Sequence, residues 1–277
     1  MFFVERVWGC CPILQMNNLK VKGGCLVMEV YFWAFILFLL IYEPIYGYID
    51  FQKFKRNIKA GENGNERVKY YVRIMIGLWV PTLFILALVA FTDLSFKQIG
   101  FTMPTIHTDP LGPLASYLLL GLGVLYVILV MYCIIGFKFS PKIRKDIINK
   151  KAEELKTSAA APILPVSLNE KKVWNYVSLT AGVTEEIIYR GFLIFVLVFL
   201  FPQVSIWVII LLASLLFGVA HTYQGLWQGV IRTSLVGALF SALYIIIDSI
   251  ILLMILHFLV DYLAKLDDEN DIKAKTA

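Results

Sequence analysis

Charged side chains are scarce in this sequence of 277 residues, because Asp, Glu, Lys and Arg together make up only 16% of it. Soluble globular domains carry about 25%. Hydrophobic residues make up 59%, and they come in long unbroken runs rather than in the stripes of amphipathic helices or strands. The composition therefore excludes an ordinary soluble domain and indicates a membrane protein.

Cysteine and histidine are also rare, with four and three copies. No pair of cysteines has the Cys-x-x-Cys spacing, which excludes a disulfide framework and a cysteine-based zinc cluster. Three cysteines lie near the N-terminus and one lies inside a hydrophobic run: Cys10, Cys11, Cys25 and Cys133.

Several hydrophobic runs are long enough to cross a bilayer, which takes about 20 residues in a helix. They lie at about 29–49, 70–92, 114–137, 173–201 and 203–222. The run at 226–264 is too long for one span, and Asp248-Ser249 is predicted to divide it. We therefore predict an all-α fold, a polytopic transmembrane helical bundle with six to eight spans.

Basic residues are concentrated in two stretches, from Asp50 to Arg73 and from Lys138 to Lys172, whereas the loop at 93–113 contains only Lys97. The positive-inside rule places both basic stretches in the cytoplasm and the 93–113 loop outside. An odd number of spans then leaves the C-terminus cytoplasmic. The net charge of +5 thus reflects topology, so we predict a lipid bilayer as partner and no nucleic acid.

The chain is predicted to have five parts. They are an N-terminal segment (1–28), N-terminal transmembrane helices (29–137), a basic cytoplasmic linker (138–172), a transmembrane core with ionisable residues (173–264) and a charged cytoplasmic tail (265–277). Lys22-Gly23-Gly24 can be encoded by a purine-rich ribosome-binding sequence, so we expect translation to begin at Met28 and the protein to lie in a bacterial plasma membrane. Glu43-Pro44 is predicted to mark a helix end near the membrane surface.

Ionisable side chains inside spans are functional candidates, because each costs ~2.5 to 3.5 kcal/mol on insertion. The predicted span at 173–201 contains three of them within six residues. Glu186 and Arg190 are four apart and are predicted to form an ion pair on one helix face. That pair alone is equally consistent with charge neutralisation inside a bundle. Glu185 points about 100° away from Glu186, and such neutralisation does not explain it.

Two further pairs lie at helical spacing in later spans. Phe217 and His221 are four residues apart, as are His257 and Asp261, so each pair shares a helix face. Each pair alone is compatible with a packing or hydrogen-bonding role. Because two of the three histidines lie inside predicted spans, one shared site explains the pattern better than separate structural coincidences.

The segments Glu-Glu-x-x-x-Arg, Phe-x-x-x-His and His-x-x-x-Asp follow one another on successive hydrophobic helices. In this order they resemble the CPBP family of intramembrane proteases, which includes CAAX prenyl endopeptidases and bacterial bacteriocin-processing or immunity proteins. The resemblance covers about residues 170–264. It implies a membrane endopeptidase that acts on a peptide or protein substrate at or near the cytoplasmic face.

The resemblance also implies roles for individual residues. Glu185 would be the general base that activates water, with His221 sharing that water. The supporting residues, which shape and hold the site, would be Glu186, Arg190 and Phe217.

His257 would stabilise the oxyanion, helped by residue 261, which is usually Asn in the prenyl-protein enzymes and is Asp261 here. An ionised carboxylate cannot donate a hydrogen bond. Asp261 would therefore act either when protonated or by orienting a charged His257.

Three alternatives remain open from the residues. Glu185, His221 and His257 could bind zinc with an open water position, although the resemblance favours a mechanism without a metal or other cofactor. The motif could instead form the polar core of a non-catalytic immunity or scaffold protein. A proton-coupled transporter would use similar residues, but the sequence lacks the repeated halves typical of transporters. The oligomeric state is not indicated.

Overall fold

The computed structural model describes residues 19–60 and 65–267, with side chains from Met28 onwards. Met28, the expected translation start, is the first residue whose side chain is described. Residues 1–18 and most of the predicted tail lie outside the described residues. Every regular element in the described ranges is helical, so the predicted all-α fold is confirmed.

The chain forms a series of helices joined mostly by short connections, with one longer loop at 92–112. They are α1 (Leu19–Ile41), α2 (Tyr48–Lys59), α3 (Glu66–Phe91), α4 (Pro113–Phe139), α5 (Pro141–Thr157), α6 (Leu168–Glu185), α7 (Ile194–Leu200), α8 (Ile206–Ala220), α9 (Arg232–Ile247) and α10 (Ile251–Leu263). Three π-helical segments lie at Tyr42–Gly47, Glu186–Leu193 and Leu226–Ile231, and two 3-10 turns lie at Ala161–Ile163 and Thr222–Gln224. Because the π-helical segments are continuous with their neighbours, α6 and α7 form one helix, called here the central helix (Leu168–Leu200).

The bundle has the helices that a membrane protein needs. Within the described ranges, four helices are long and apolar enough to cross a bilayer, namely Met28–Lys59, Glu66–Phe91, Pro113–Phe139 and Leu226–Ile247. Two shorter apolar helices, α8 and α10, accompany them. Together with the central helix, they agree with the predicted polytopic transmembrane bundle.

The hydrophobic run at 226–264 divides where the sequence predicts. Helix α9 ends at Ile247, and Asp248 adopts a left-handed conformation with φ of 57° that turns the chain. The loop before α4 closes over this turn, because the Thr105 N–H donates to the Ile247 carbonyl at 2.9 Å and the Ile250 N–H donates to the Gly100 carbonyl at 3.0 Å. The break at Asp248-Ser249 is thus confirmed.

The predicted helix end at Glu43-Pro44 is wrong. The helix continues through the π-helical segment Tyr42–Gly47 into α2, which ends at Lys59. Proline lacks an N–H group, and its ring clashes with the carbonyl four residues earlier, so it strains a regular α-helix. A π-helical turn carries an extra residue and is a common local adjustment. Pro44 therefore changes the type of helix without ending it.

The segment predicted as a cytoplasmic linker is folded onto the bundle. Its first part forms α5, and its last part forms a turn that packs against α3. The Tyr71 hydroxyl donates to the Ile163 carbonyl at 2.6 Å, and Arg67 Nε donates to the Pro162 carbonyl at 2.9 Å. These contacts connect α3 to the beginning of the central helix.

The central helix forms the core of the molecule. Every residue from Thr184 to Val198 is buried. The aromatic rings of α1 pack against it, with Phe35 and Phe192 at a centroid distance of 4.8 Å in an edge-to-face arrangement. Glu185, Glu186 and Arg190 therefore lie inside the protein and not against lipid.

Candidate active site

A close helix crossing places the site. Helices α6 and α10 meet at Gly182, where an added Cβ atom would lie 2.9 Å from the Phe258 nitrogen and 3.0 Å from the Met254 carbonyl oxygen. Backbone atoms cannot move aside as a side-chain tip can, so only glycine permits this approach. Small residues at such crossings are typical of membrane bundles. The crossing brings His257 against the two glutamates that follow Gly182 by one turn.

Glu186 is the buried centre of the polar network. Its Oε1 atom accepts hydrogen bonds from Arg190 Nη1 at 2.9 Å and from His257 Nδ1 at 2.7 Å. The ion pair between Glu186 and Arg190 that the spacing predicts is therefore present, and both side chains are at most 1% exposed. It costs less than an isolated buried charge because both partners are ionised and hydrogen-bonded.

Two aromatic rings enclose the Arg190 guanidinium. Its Cζ atom lies 4.2 Å from the Phe217 ring centroid and 5.3 Å from that of Phe240. The Nε and Nη2 atoms of Arg190 have no hydrogen-bond partner among the described residues. Cation–π attraction to these rings offsets part of the cost of burying them. This arrangement gives Phe217 a definite supporting position beside the ion pair.

The helix changes type at the catalytic candidates. Regular α-helix ends at Glu185, and the next eight residues, Glu186–Leu193, are π-helical. Gly191 within this segment makes room for the Ile99 carbonyl, which a Cβ atom would strike. Single π-helical turns inside α-helices are frequently found at functional sites. The sequence predicts a regular helix here, so this feature was missed.

His257 has a carboxylate near each ring nitrogen. Because a carboxylate only accepts, the 2.7 Å contact with Glu186 requires Nδ1 of His257 to donate. The Nε2 atom lies 3.7 Å from Glu185 Oε2 and 3.9 Å from Asp261 Oδ2. These longer separations are those of charge–charge contacts and not of hydrogen bonds. Three carboxylates, those of Glu185, Glu186 and Asp261, therefore lie within 4 Å of the His257 ring nitrogens.

His221 is held at the end of α8 by its own backbone. Its Nδ1 atom lies 2.8 Å from the Phe217 carbonyl oxygen. A carbonyl only accepts, so Nδ1 carries the proton, and in the neutral ring Nε2 is left as an acceptor. The Phe217 ring fixes the orientation of the imidazole with a centroid distance of 4.8 Å.

A cavity of about 290 Å³ brings the predicted residues together, and we call it the main cavity. Its walls include Glu185, Arg190, Phe217, His221, His257 and Asp261. Glu186 supports His257 and Arg190 from its fully buried position. The sequence predictions missed other wall residues, among them Phe240 and Tyr223, because an aromatic residue in a hydrophobic run carries no distinguishing signal.

A second cavity of about 220 Å³ shares Glu185, His221 and Tyr223 with the main cavity. It lies between the N-terminal helices and the central helix, and Glu43 forms part of its wall. Glu43 satisfies the rule that singled out Glu185, since both are carboxylates inside predicted spans. Because Glu43 was assigned to a predicted helix end, it was not included among the predicted site residues.

A catalytic zinc ion takes three protein ligands, typically His, Cys, Asp or Glu side chains. The described part of the chain contains no group of three His, Cys, Asp or Glu side chains placed to hold a metal. The Nδ1 atom of His257 is already engaged by Glu186. A metal-binding histidine commonly donates its other ring N–H to a carboxylate, so this contact leaves the Nε2 atom of His257 available, and the zinc alternative stays a prediction.

Fold and site together define a class, namely polytopic helical membrane proteins with a carboxylate–imidazole site in a buried cavity. Residues 170–263, about a third of the chain, match the family model described as Type II CAAX prenyl endopeptidase Rce1-like. The resemblance to the CPBP and CAAX proteases is thus confirmed, and the match supports a membrane protease. Neither the curated proteins nor the solved structures give a match.

Proposed function

We propose that the protein is an intramembrane endopeptidase that hydrolyses a peptide bond with water activated by Glu185. Its substrate is a peptide or a membrane-associated protein. The observation that supports this proposal is that Glu185, His221, His257 and Asp261 all line the main cavity. A buried ion pair supports this space from behind.

Glu185 and His221 are suited to hold the attacking water. The carboxylate oxygens of Glu185 and the Nε2 atom of His221 are both acceptors, and both residues line the main cavity. A water molecule that donates one hydrogen to each has its lone pairs free to attack a carbonyl carbon. The water oxygen forms the new C–O bond, and Glu185 takes the proton and passes it to the leaving amine.

His257 is suited to stabilise the negative oxygen of the tetrahedral intermediate. Because Nδ1 donates to Glu186, a protonated ring presents its Nε2–H to the substrate. A charged donor aimed at a developing oxyanion lowers the barrier more than a neutral one. Asp261 then contributes by stabilising the charged ring at 3.9 Å, and it need not donate a hydrogen bond itself.

The basic stretches support an orientation in which the C-terminus is cytoplasmic and the substrate approaches from the cytoplasmic side. A bacterial plasma membrane is the proposed location. The biological role within this proposal is the processing of a peptide or immunity to a bacteriocin.

Cleavage of a peptide library by the purified protein in detergent tests the proposal. Wild type is compared with Glu185→Ala and His221→Ala, each with and without a chelator. We expect cleavage that resists the chelator and is abolished by both substitutions. Chelator-sensitive cleavage would support the zinc version of the enzyme. Absence of cleavage by wild type would favour a non-catalytic immunity or scaffold protein.

A further inference from the structure

Glu43 is a carboxylate in the N-terminal helices that the proposed mechanism does not use. It lies in the π-helical segment Tyr42–Gly47 and faces the second cavity. This position lies outside the part of the chain that matches the protease family, residues 170–263. Because Glu185 and His221 line the same cavity, a group bound at Glu43 would lie beside the reacting groups.

The charges around the second cavity are not balanced. Three carboxylates, those of Glu43, Asp50 and Glu185, line it together with one guanidinium, that of Arg73. Arg73 Nε donates to Asp50 Oδ2 at 3.1 Å, so this cation is already paired. Among the described residues, Glu43 has no hydrogen-bonding or ion-pairing partner. Glu43 is partly buried, and an unpaired carboxylate is costly to bury, so a cation that pairs with it would offset that cost.

The aromatic walls of the second cavity also suit a cation. The rings of Tyr42 and Tyr46 are stacked at a centroid distance of 5.0 Å, and both residues line the cavity. Also in the lining, Arg73 lies over the Tyr70 ring at 5.4 Å. Because Tyr42 is also stacked on Phe38 at 4.7 Å, the ring face left to attract an ammonium or guanidinium group is the outer face of Tyr46. The cavity therefore combines a free carboxylate with a ring face that stabilises positive charge.

We propose that the second cavity is a subsite for a cationic group of the substrate, an ammonium or guanidinium, which Glu43 binds next to the peptide bond held at Glu185. This inference rests on the proposed peptidase function. At 220 Å³ the cavity is smaller than ordinary ligand pockets of about 300–1,000 Å³, which suits one side chain or one chain terminus. The N-terminal helices thereby supply selectivity for basic substrates.

Binding of short peptides to a Glu185→Gln variant tests this subsite without the need for turnover. The probes are peptides with an acetylated N-terminus and one lysine, the same peptides with acetyl-lysine, and lysine-free peptides with a free amino terminus. We expect the lysine or the free-amine peptide to bind about tenfold more tightly than its neutral counterpart, as for one accessible ion pair. Which of the two binds more tightly identifies the source of the cation.

Adding Glu43→Gln to that variant is expected to remove the tenfold preference. Glu153→Gln removes an exposed carboxylate of α5 and serves as the matched control, which retains the preference. A charge-reversed Glu43→Lys variant is expected to prefer a peptide with glutamate in place of lysine, which distinguishes recognition from misfolding. Equal binding of basic and neutral peptides to the parent variant, or a preference that survives Glu43→Gln, would overturn the subsite. If the wild-type protein cleaves no peptide, that separate result would contradict the peptidase function.

Discussion

Two long helices of this protein have opposite surroundings, since one faces the lipid and the other is buried in its middle. Helix α4 has no charged residue from Pro113 to Phe137, and its outward residues face the lipid, with Leu118 62% exposed. The central helix contains charged residues in its middle but is buried from Thr184 to Val198. A membrane helix can therefore carry charge when other helices surround it and supply partners for each ionised group. The charged candidates Glu185, Glu186 and Arg190 all lie on this buried part of the central helix.

The largest effect is expected from a substitution that breaks the ion pair inside the central helix. An Arg190→Met substitution would leave the Glu186 carboxylate buried with only His257 as a partner. Removing one member of a buried ion pair costs about 3–5 kcal/mol. We expect a loss of this size in the free energy of unfolding, measured by denaturant titration in detergent.

A double variant provides the control for this loss. Glu186→Gln combined with Arg190→Met removes both charges and is expected to regain part of the stability. If Arg190→Met alone is as stable as wild type, the buried pair does not hold the central helix as described.

A smaller effect is expected from the crossing between α6 and α10. A Gly182→Ala substitution places a Cβ atom against the backbone of Phe258 and Met254. Overpacking of this kind costs about 1–3 kcal/mol, and it would move His257 away from Glu186. We expect lower thermal stability together with a lower rate of peptide cleavage.

The smallest effect, with opposite sign, is expected on α4. A Cβ atom added at Gly121 would meet nothing within 4 Å. Alanine favours a helix over glycine by about 1 kcal/mol, so Gly121→Ala should stabilise the protein slightly or leave it unchanged. Equal destabilisation by Gly182→Ala and Gly121→Ala would show that the two helices do not differ as proposed.

The sequence predicts those features that depend on neighbours along the chain. Hydrophobic length predicts the spans, and Asp248 interrupts its run because it is polar at the end of α9. The pair of Glu186 and Arg190 follows from helical spacing alone. The predicted candidates also line one cavity, but their catalytic roles remain proposals.

Other features depend on contacts between distant segments and were not predictable. The π-helical turn at Glu186–Leu193 accompanies the approach of the Ile99 carbonyl to Gly191. The position of Glu43 at the site depends on how α1 packs against the central helix, which no local pattern encodes. The same holds for the turn around Ile163, which packs against Tyr71.

The rate of peptide cleavage by Glu185→Gln, measured beside its peptide affinity, tests the central claim most directly. A general base contributes about 10²- to 10⁴-fold to the rate. We therefore predict a fall in kcat within that range, with peptide binding retained and with Glu153→Gln cleaving at the wild-type rate. Cleavage by Glu185→Gln at the wild-type rate would contradict the assignment of Glu185 as the base.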